Sequence, residues 1–166
     1  SLPWEFEMRY KIRPMQAGEE DKLWQLFYNT IRTVSLRDYT HEQVAAWAPD
    51  NHDADLWLSE IQRMQPFVAE SNGIIVGYSD VQPDGLIDHF YVHSLWQSRG
   101  VGGVLMREIH RRALEAKLPK LHSNVSITAR PFFEHFGFQV EREQQVKMYG
   151  VELTNFRMFK ALTEQG

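Results

Sequence analysis

Hydrophobic and polar positions recur along this chain with two different periods, and each period predicts a different local structure. Apolar side chains return every three or four positions over residues 19–33, where Leu23, Phe27 and Ile31 share one face, so an amphipathic helix is predicted there. Residues 87–92 form instead a short run rich in β-branched and aromatic side chains, which is typical of a buried strand.

Two further helices are predicted from their start signals. Thr40 is a candidate N-cap with Gln43 three residues later, which completes a capping box, and Pro49 limits this helix. Either Asp53 or Asp55 can cap the next apolar helical pattern.

The strand signals divide into an N-terminal and a C-terminal group. Residues 10–13 form a first strand, and residues 66–70 and 74–81 flank a Ser-Asn-Gly turn that predicts a hairpin. The elements predicted downstream are a helix over 104–117, a strand over 121–125, a helix over 128–136, and strands over 138–146 and 151–162. We therefore expect an α/β fold in which helices flank a mixed, mostly antiparallel sheet with a central parallel pair of strands.

Composition limits the classes of function. The 166 residues carry a net charge of −4 with 43% hydrophobic side chains and no cysteine. These values are typical of a globular chain and do not favour nucleic-acid binding or attraction to a membrane surface. We expect one domain over residues 10–163 after a leader over residues 1–9, no transmembrane segment, and a cytoplasmic location.

A glycine-rich turn follows the predicted central strand. Gly100, Gly102 and Gly103 let the backbone approach a ligand, and the first-turn amides of the following helix can bind an anion such as a phosphate. Gln97 and Arg99 add side-chain donors. The same glycines can also form only a tight turn, and the Lys-Ser/Thr pair of a P-loop is absent.

Two motifs in order resemble the GNAT N-acetyltransferase superfamily. The first is Gln97-x-x-Gly100-x-Gly102, five residues after Val92, and the second is residues 124–138, which end in Gly-Phe. The resemblance covers residues 10–162 and implies a bound acetyl-CoA, with its pantetheine arm between two splayed parallel strands and its pyrophosphate on the loop amides. The residues it assigns to the cofactor are Phe90, Tyr91, Val92, Gln97, Ser98, Arg99, Gly100, Val101, Gly102, Gly103, Asn124, Phe132 and Phe133.

Catalytic candidates follow from what acetyl transfer to an amine requires. Asp88 is the candidate base because alternation places it on the face of Phe90, whereas His89, a second candidate, is expected on the opposite face. Members of the family often have a glutamate at the position of Leu86, and this chain lacks it. Asn124 can orient the substrate or a water molecule.

The proton donor of the family is also missing. A tyrosine often stands where this chain has Phe133, so another group, such as water, Ser126 or a distant tyrosine, must protonate the leaving thiolate, unless the thiolate leaves without an acid. A cysteine-linked acetyl-enzyme is excluded, because the chain has no cysteine.

The acceptor is expected to bind against the first helices and the last hairpin. Tyr28, Arg32, Arg37 and Trp47 are the candidate contacts for a small-molecule or peptide amine. No metal site is expected, because His89 and His93 would lie about 13 Å apart along a strand.

The function predicted from the sequence is an acetyl-CoA-dependent N-acetyltransferase that works by direct attack of a primary amine. The alternative is a catalytically weak module of the same fold that binds or senses acyl-CoA. A homodimer is compatible with either function.

Overall fold

The computed structural model describes residues 9–162 as a mixed α/β fold. Its helices are α1 (Glu20–Thr33), α2 (His41–Trp47), α3 (Ala54–Met64), α4 (Val101–Glu115) and α5 (Arg130–His135). Its strands are β1 (Lys11–Pro14), β2 (Phe67–Ser71), β3 (Ile74–Ser79), β4 (Phe90–Val92), β5 (Lys120–Ser126), β6 (Gln139–Met148) and β7 (Val151–Ala161). The expected leader lies outside the described residues apart from residue 9.

The helix starts agree with the capping signals. The Thr40 hydroxyl accepts from the Gln43 amide at 3.1 Å, and the Gln43 side chain accepts from the Thr40 amide at 2.9 Å. Asp53, rather than Asp55, caps α3 by accepting from the Leu56 amide at 3.0 Å. Each pair satisfies amides that have no partner within their helix.

Two antiparallel sheets meet at one short parallel contact. The strand orders are β1-β2-β3-β4 and β5-β7-β6. Between the sheets, the Ile87 amide donates to the His122 carbonyl at 2.9 Å, and the His122 amide donates to the Gly85 carbonyl at 3.0 Å. The Ser123 hydroxyl then donates to the Ile87 carbonyl at 2.7 Å. Beyond this point β4 and β5 have no ladder between them, which leaves a gap between two parallel strands.

The segment before β4 is irregular, so the predicted strand over 87–92 is too long. The buried Asp80 carboxylate accepts from the amides of Asp88 at 3.1 Å and His89 at 2.7 Å. These amides are therefore satisfied by a side chain rather than by a neighbouring strand. Regular alternation fails here, and both Asp88 and His89 line the same cleft instead of facing opposite sides.

The two faces of the first sheet cover two apolar cores. Phe67 and Ala69 pack in a core with α4 and α5, whereas the intervening Val68 packs in a core with α1, α2 and α3. This alternation is the two-residue period of a strand buried on both faces. The sheet thus lies between α4 and α5 on one face and α1, α2 and α3 on the other.

Candidate active site

The first cleft, which we call the loop cleft, follows the gap between β4 and β5 and has a volume of about 530 Å³. Its walls come from β4, the glycine-rich loop, the start of α4, the end of β5, and α5. Of the residues that the sequence assigned to a cofactor, those lining it are Phe90, Tyr91, Val92, Gln97, Ser98, Gly100, Val101, Gly102, Gly103, Asn124, Phe132 and Phe133. The structure therefore brings these scattered positions together along one channel.

The start of α4 presents backbone donors to this cleft. Gly100 has a φ of 85°, in the left-handed region that glycine adopts without strain, and no side chain caps the helix. The first internal bond of the helix runs from the Val104 amide to the Gly100 carbonyl at 3.2 Å. The three preceding amides and the positive end of the helix dipole are thus arranged as in a phosphate site.

Side chains around the loop hold its backbone in place. Gln97 was expected to bind the ligand, but its side-chain amide donates to the Val92 carbonyl at 2.9 Å. Thr30 donates to the same carbonyl at 2.9 Å. Arg99 does not line the loop cleft, because its guanidinium lies over the Trp96 ring at 5.0 Å while its carbonyl accepts from Tyr10 at 2.7 Å. These contacts fix the loop more than they extend its anion site.

A second cleft, which we call the aromatic cleft, adjoins the first and has a volume of about 420 Å³. It is lined on one side by rings from α1, α2 and the segment around β4, and on the other by the hairpin of β6 and β7. The residues that line both clefts are Trp47, Asp88, Tyr91, Asn124 and Ser126. We call this group the junction, and both volumes lie in the range of small-molecule sites.

Asp88 is the one carboxylate in the junction. Its Oδ2 accepts from Arg63 at 3.1 Å, and 31% of its side chain is exposed. Arg63 also pairs with Glu60 at 3.0 Å. The Asp80 carboxylate fixes the Asp88 backbone, so the position of this acid depends on a buried group that sequence reasoning missed.

His89 lines the aromatic cleft as a neutral side chain. Its Nδ1 is 2.9 Å from the Tyr78 hydroxyl, and its ring stacks on Phe27 with centroids 5.4 Å apart. Burial lowers the pKa of His89 to about 4. A group with this pKa is a weak base near neutral pH, so the position of His89 suits packing better than proton transfer.

Polar side chains of β5 complete the junction. The side-chain oxygen Oδ1 of Asn124 accepts from Gln144 at 3.1 Å and from Arg157 at 3.4 Å. The Ser126 oxygen accepts from the Ala129 amide at 3.0 Å. That bond uses the oxygen of Ser126 and leaves its hydroxyl hydrogen for another partner.

The four predicted acceptor contacts separate into two pairs. Trp47 lines both clefts and Arg37 lines the loop cleft. Tyr28 and Arg32 line neither, because the Tyr28 hydroxyl and the Arg32 guanidinium both bind Asp50. The first pair therefore lies at the site, whereas the second forms part of the contact between α1 and the segment after α2.

The structure adds an unexpected feature to the loop cleft. Thr128 lines the cleft, and its hydroxyl oxygen is buried without a hydrogen-bond partner among the described residues. Unsatisfied buried polar atoms of this kind are exceptional in folded proteins. The signal in the sequence is slight, because Thr128 is one of several small polar residues after β5.

The described part of the chain contains neither a candidate metal site nor a helix that could span a membrane. Within residues 9–162, no group of three or more His, Cys, Asp or Glu side chains could hold a metal ion. No helix in the same range is both long and apolar enough to cross a membrane.

Proteins of similar sequence are described as acetyltransferases. A family model described as an acetyltransferase (GNAT) domain matches residues 35–160. The chain is 31% identical over 148 residues to a protein of Escherichia coli strain K12 named uncharacterized N-acetyltransferase YafP, and the match covers 89% of this chain and 93% of that protein.

Solved structures show the same fold. A GCN5-related N-acetyltransferase from Rhodopseudomonas palustris superposes with a TM-score of 0.87 and 27% identity, over 92% of this chain and 95% of that one. The PaiA N-acetyltransferase of Thermoplasma acidophilum, solved in complex with coenzyme A, has a TM-score of 0.73 over 92% of this chain and 98% of its own, and is 16% identical.

Proposed function

The chain belongs to the GNAT superfamily and is an acetyltransferase, and from that premise we propose that residues 10–163 act as one domain that transfers the acetyl group of acetyl-CoA to a primary amine. The transfer is direct, within a ternary complex of enzyme, acetyl-CoA and amine. Acetyl-CoA supplies the reactive thioester, and CoA leaves as its thiol.

The junction between the two clefts is the observation that carries this proposal. The loop cleft has the uncapped helix start that suits a pyrophosphate, and the aromatic cleft opens beside it. An acyl thioester that reaches the junction and an amine that enters from the aromatic cleft would meet next to Asp88. This placement supplies the proximity on which much of the rate of a two-substrate reaction depends.

Asp88 acts as the base in this proposal. An amine is protonated near neutral pH, so one proton must leave before nitrogen can attack the thioester carbonyl. Asp88 takes that proton directly or through a water molecule, while Asn124 orients the amine. His89 is not given the role of base, since its lowered pKa leaves it little affinity for a proton.

The leaving thiolate needs a different donor from the tyrosine common in the family. Phe133 has no hydroxyl and is packed against Phe90 and Phe138, with ring centroids 5.5 and 5.0 Å away. We assign the donor role to Ser126, because it lies in the junction and its hydrogen is not used in the bond to Ala129. The hydroxyl would give its proton to the sulfur as the carbon–sulfur bond breaks, and it would regain a proton from water, so that CoA leaves as its thiol.

Two measurements test the function. Calorimetric titration with acetyl-CoA should show binding, and thiol release should then depend on an added amine. Because the chain has no cysteine, a thiol reagent reports only the CoA released. Failure to bind acetyl-CoA would refute the proposal, and binding without release for any amine would favour the sensing module.

A matched pair of variants tests the base. Asp88→Asn should lower kcat by roughly 100-fold or more with little change in acetyl-CoA affinity, because general base catalysis contributes on that scale. Glu60→Gln is the control, since Glu60 also pairs with Arg63 but does not line either cleft. Equal rates for Asp88→Asn and the control would remove Asp88 as the base.

A further inference from the structure

The walls of the aromatic cleft indicate what kind of amine it accepts. One side carries the rings of Phe27, Tyr39, Trp47 and Tyr91. Edge contacts fix these rings, with centroids 5.0 Å apart for Phe27 and Tyr91 and 5.4 Å apart for Tyr39 and Trp47. Rings held at such angles offer faces and edges to a further ring, which aromatic pairs prefer.

The opposite side of the aromatic cleft carries aliphatic side chains with polar neighbours. Val146 and Met148 of β6 and Leu153 of β7 line it, together with Thr154 and Asn155 of β7. Methionine adapts to irregular apolar shapes and makes favourable contacts between its sulfur and aromatic rings. An apolar, ring-bearing body thus has complementary surface on both sides of this cleft.

Charge in the aromatic cleft is confined to one end. Asp88 is the one carboxylate among its described lining residues, burial lowers the pKa of His89 to about 4, and no lysine or arginine belongs to the lining. Arg63, the nearest partner of Asp88, is shared with Glu60. A positive amine is therefore attracted to the junction, whereas an anionic group on the substrate would find no cation along the walls.

We infer that the acceptor is a primary amine carried on an aromatic or similarly apolar body without a carboxylate or phosphate. This inference rests on the proposed function and names the substrate class of the same site. The ammonium group enters toward Asp88 and Asn124, and the apolar body lies between the rings and the β6–β7 hairpin.

Other classes of amine fit these walls less well. A polyamine carries several positive charges, and the lining offers one carboxylate. A peptide carries an amide group at every residue, and each amide that lies against the rings or the aliphatic side chains would lose hydrogen bonds to water. An α-amino acid places a carboxylate next to its amine, and no lysine or arginine belongs to the lining of the aromatic cleft to pair with it.

The experiment compares four probes with wild-type enzyme already loaded with CoA. Calorimetry measures binding of 2-phenylethylamine, n-butylamine, L-phenylalanine and spermidine, and thiol release from acetyl-CoA gives kcat/KM for each. We expect 2-phenylethylamine to bind at least about tenfold more tightly than each of the others, since apolar pockets discriminate between substrates by roughly tenfold or more.

Each outcome is decisive. A preference of less than about tenfold over n-butylamine would overturn the aromatic preference, and one of less than about tenfold over L-phenylalanine or spermidine would overturn the charge argument. In these cases measurable acetyl transfer would leave the proposed function standing. Absence of CoA binding in the first titration would instead refute the proposed function itself.

A pair of lysine substitutions tests the charge argument in a second way. Met148→Lys adds a cation to the aliphatic wall and should reduce the preference for 2-phenylethylamine over L-phenylalanine by about tenfold. Tyr149→Lys is the control, because this neighbouring residue is 77% exposed and lines neither cleft. An unchanged preference in Met148→Lys would contradict the inference, and the wild-type probe series decides it even if that variant folds poorly.

Discussion

The position of the anion-binding loop depends on one close approach between β3 and α4. Gly77 of β3 faces the first turn of α4, where a Cβ atom would lie 2.8 Å from Val101 Cγ1 and 3.1 Å from Leu105 Cδ1. The same Cβ would lie 3.1 Å from the carbonyl oxygen of Tyr91 in β4. We therefore predict that Gly77→Ala separates α4 from the sheet and moves the loop amides.

The size of the effect follows from these distances. Carbon atoms in favourable contact are about 3.5–4.0 Å apart, so Val101 must retreat by roughly 1 Å. Overpacking of this kind costs about 1–3 kcal/mol of unfolding free energy. Because Val101 is the first residue of α4, its retreat displaces the amides at the helix start, and we expect acetyl-CoA affinity to fall by roughly tenfold to 100-fold.

Urea unfolding and calorimetric titration with acetyl-CoA measure the two effects separately. Gly73→Ala is the control: Gly73 has a φ of +83° and no atom within 4 Å of its Cβ position. This control should lose about 1–2 kcal/mol of stability through backbone strain and keep its affinity. The double variant Gly77→Ala with Val101→Ala should regain affinity, because the shorter side chain relieves the contact. Wild-type affinity in Gly77→Ala alone would refute the reasoning.

Two further predictions concern polar groups near the junction. Burial raises the pKa of Asp80 from 3.8 to about 6, so the folded state binds more protons between these values, and the free energy of unfolding should fall by about 3 kcal/mol in total as pH rises from well below 3.8 to well above 6. Urea melts should show this component in the wild type and not in Asp80→Asn; parallel pH profiles would contradict it. Ser126→Ala should lower kcat by roughly 100-fold at nearly constant acetyl-CoA affinity, whereas Ser126→Thr should retain activity. A wild-type kcat in Ser126→Ala would exclude Ser126 as the proton donor.

Local signals in the sequence were sufficient for most of the fold. The capping box of Thr40 and Gln43 and the cap of Asp53 act within a few residues, so their spacing predicted where α2 begins and limited the start of α3 to Asp53 or Asp55. The break before β4 was not predicted, because Asp80 binds backbone amides eight and nine residues away. Hydrophobic periodicity carries no information about a bond between a buried side chain and a distant backbone.

The site shows the same division between local and distant information. The glycine-rich loop was recognisable because a strand, a turn and a helix start are contiguous in the sequence. Tyr28 and Arg32 were predicted to contact the acceptor but line neither cleft. The periodicity of α1 identifies its apolar face but not the element that this face contacts. Their partner Asp50 belongs to the segment after α2, and only the packing of the two helices brings it close.

Asp80 lines neither cleft, but it influences the separation of β4 and β5. β5 pairs with β7 along its whole length, whereas its backbone pairing with the segment before β4 is limited to the bridge at Leu86. The amides of Asp88 and His89, which could otherwise extend that contact, are bound by Asp80. The buried carboxylate thus lowers stability through its desolvation but prevents the two strands from joining past the bridge. The open gap in which we propose that acetyl-CoA binds is, on this argument, maintained by a side chain that lines neither cleft.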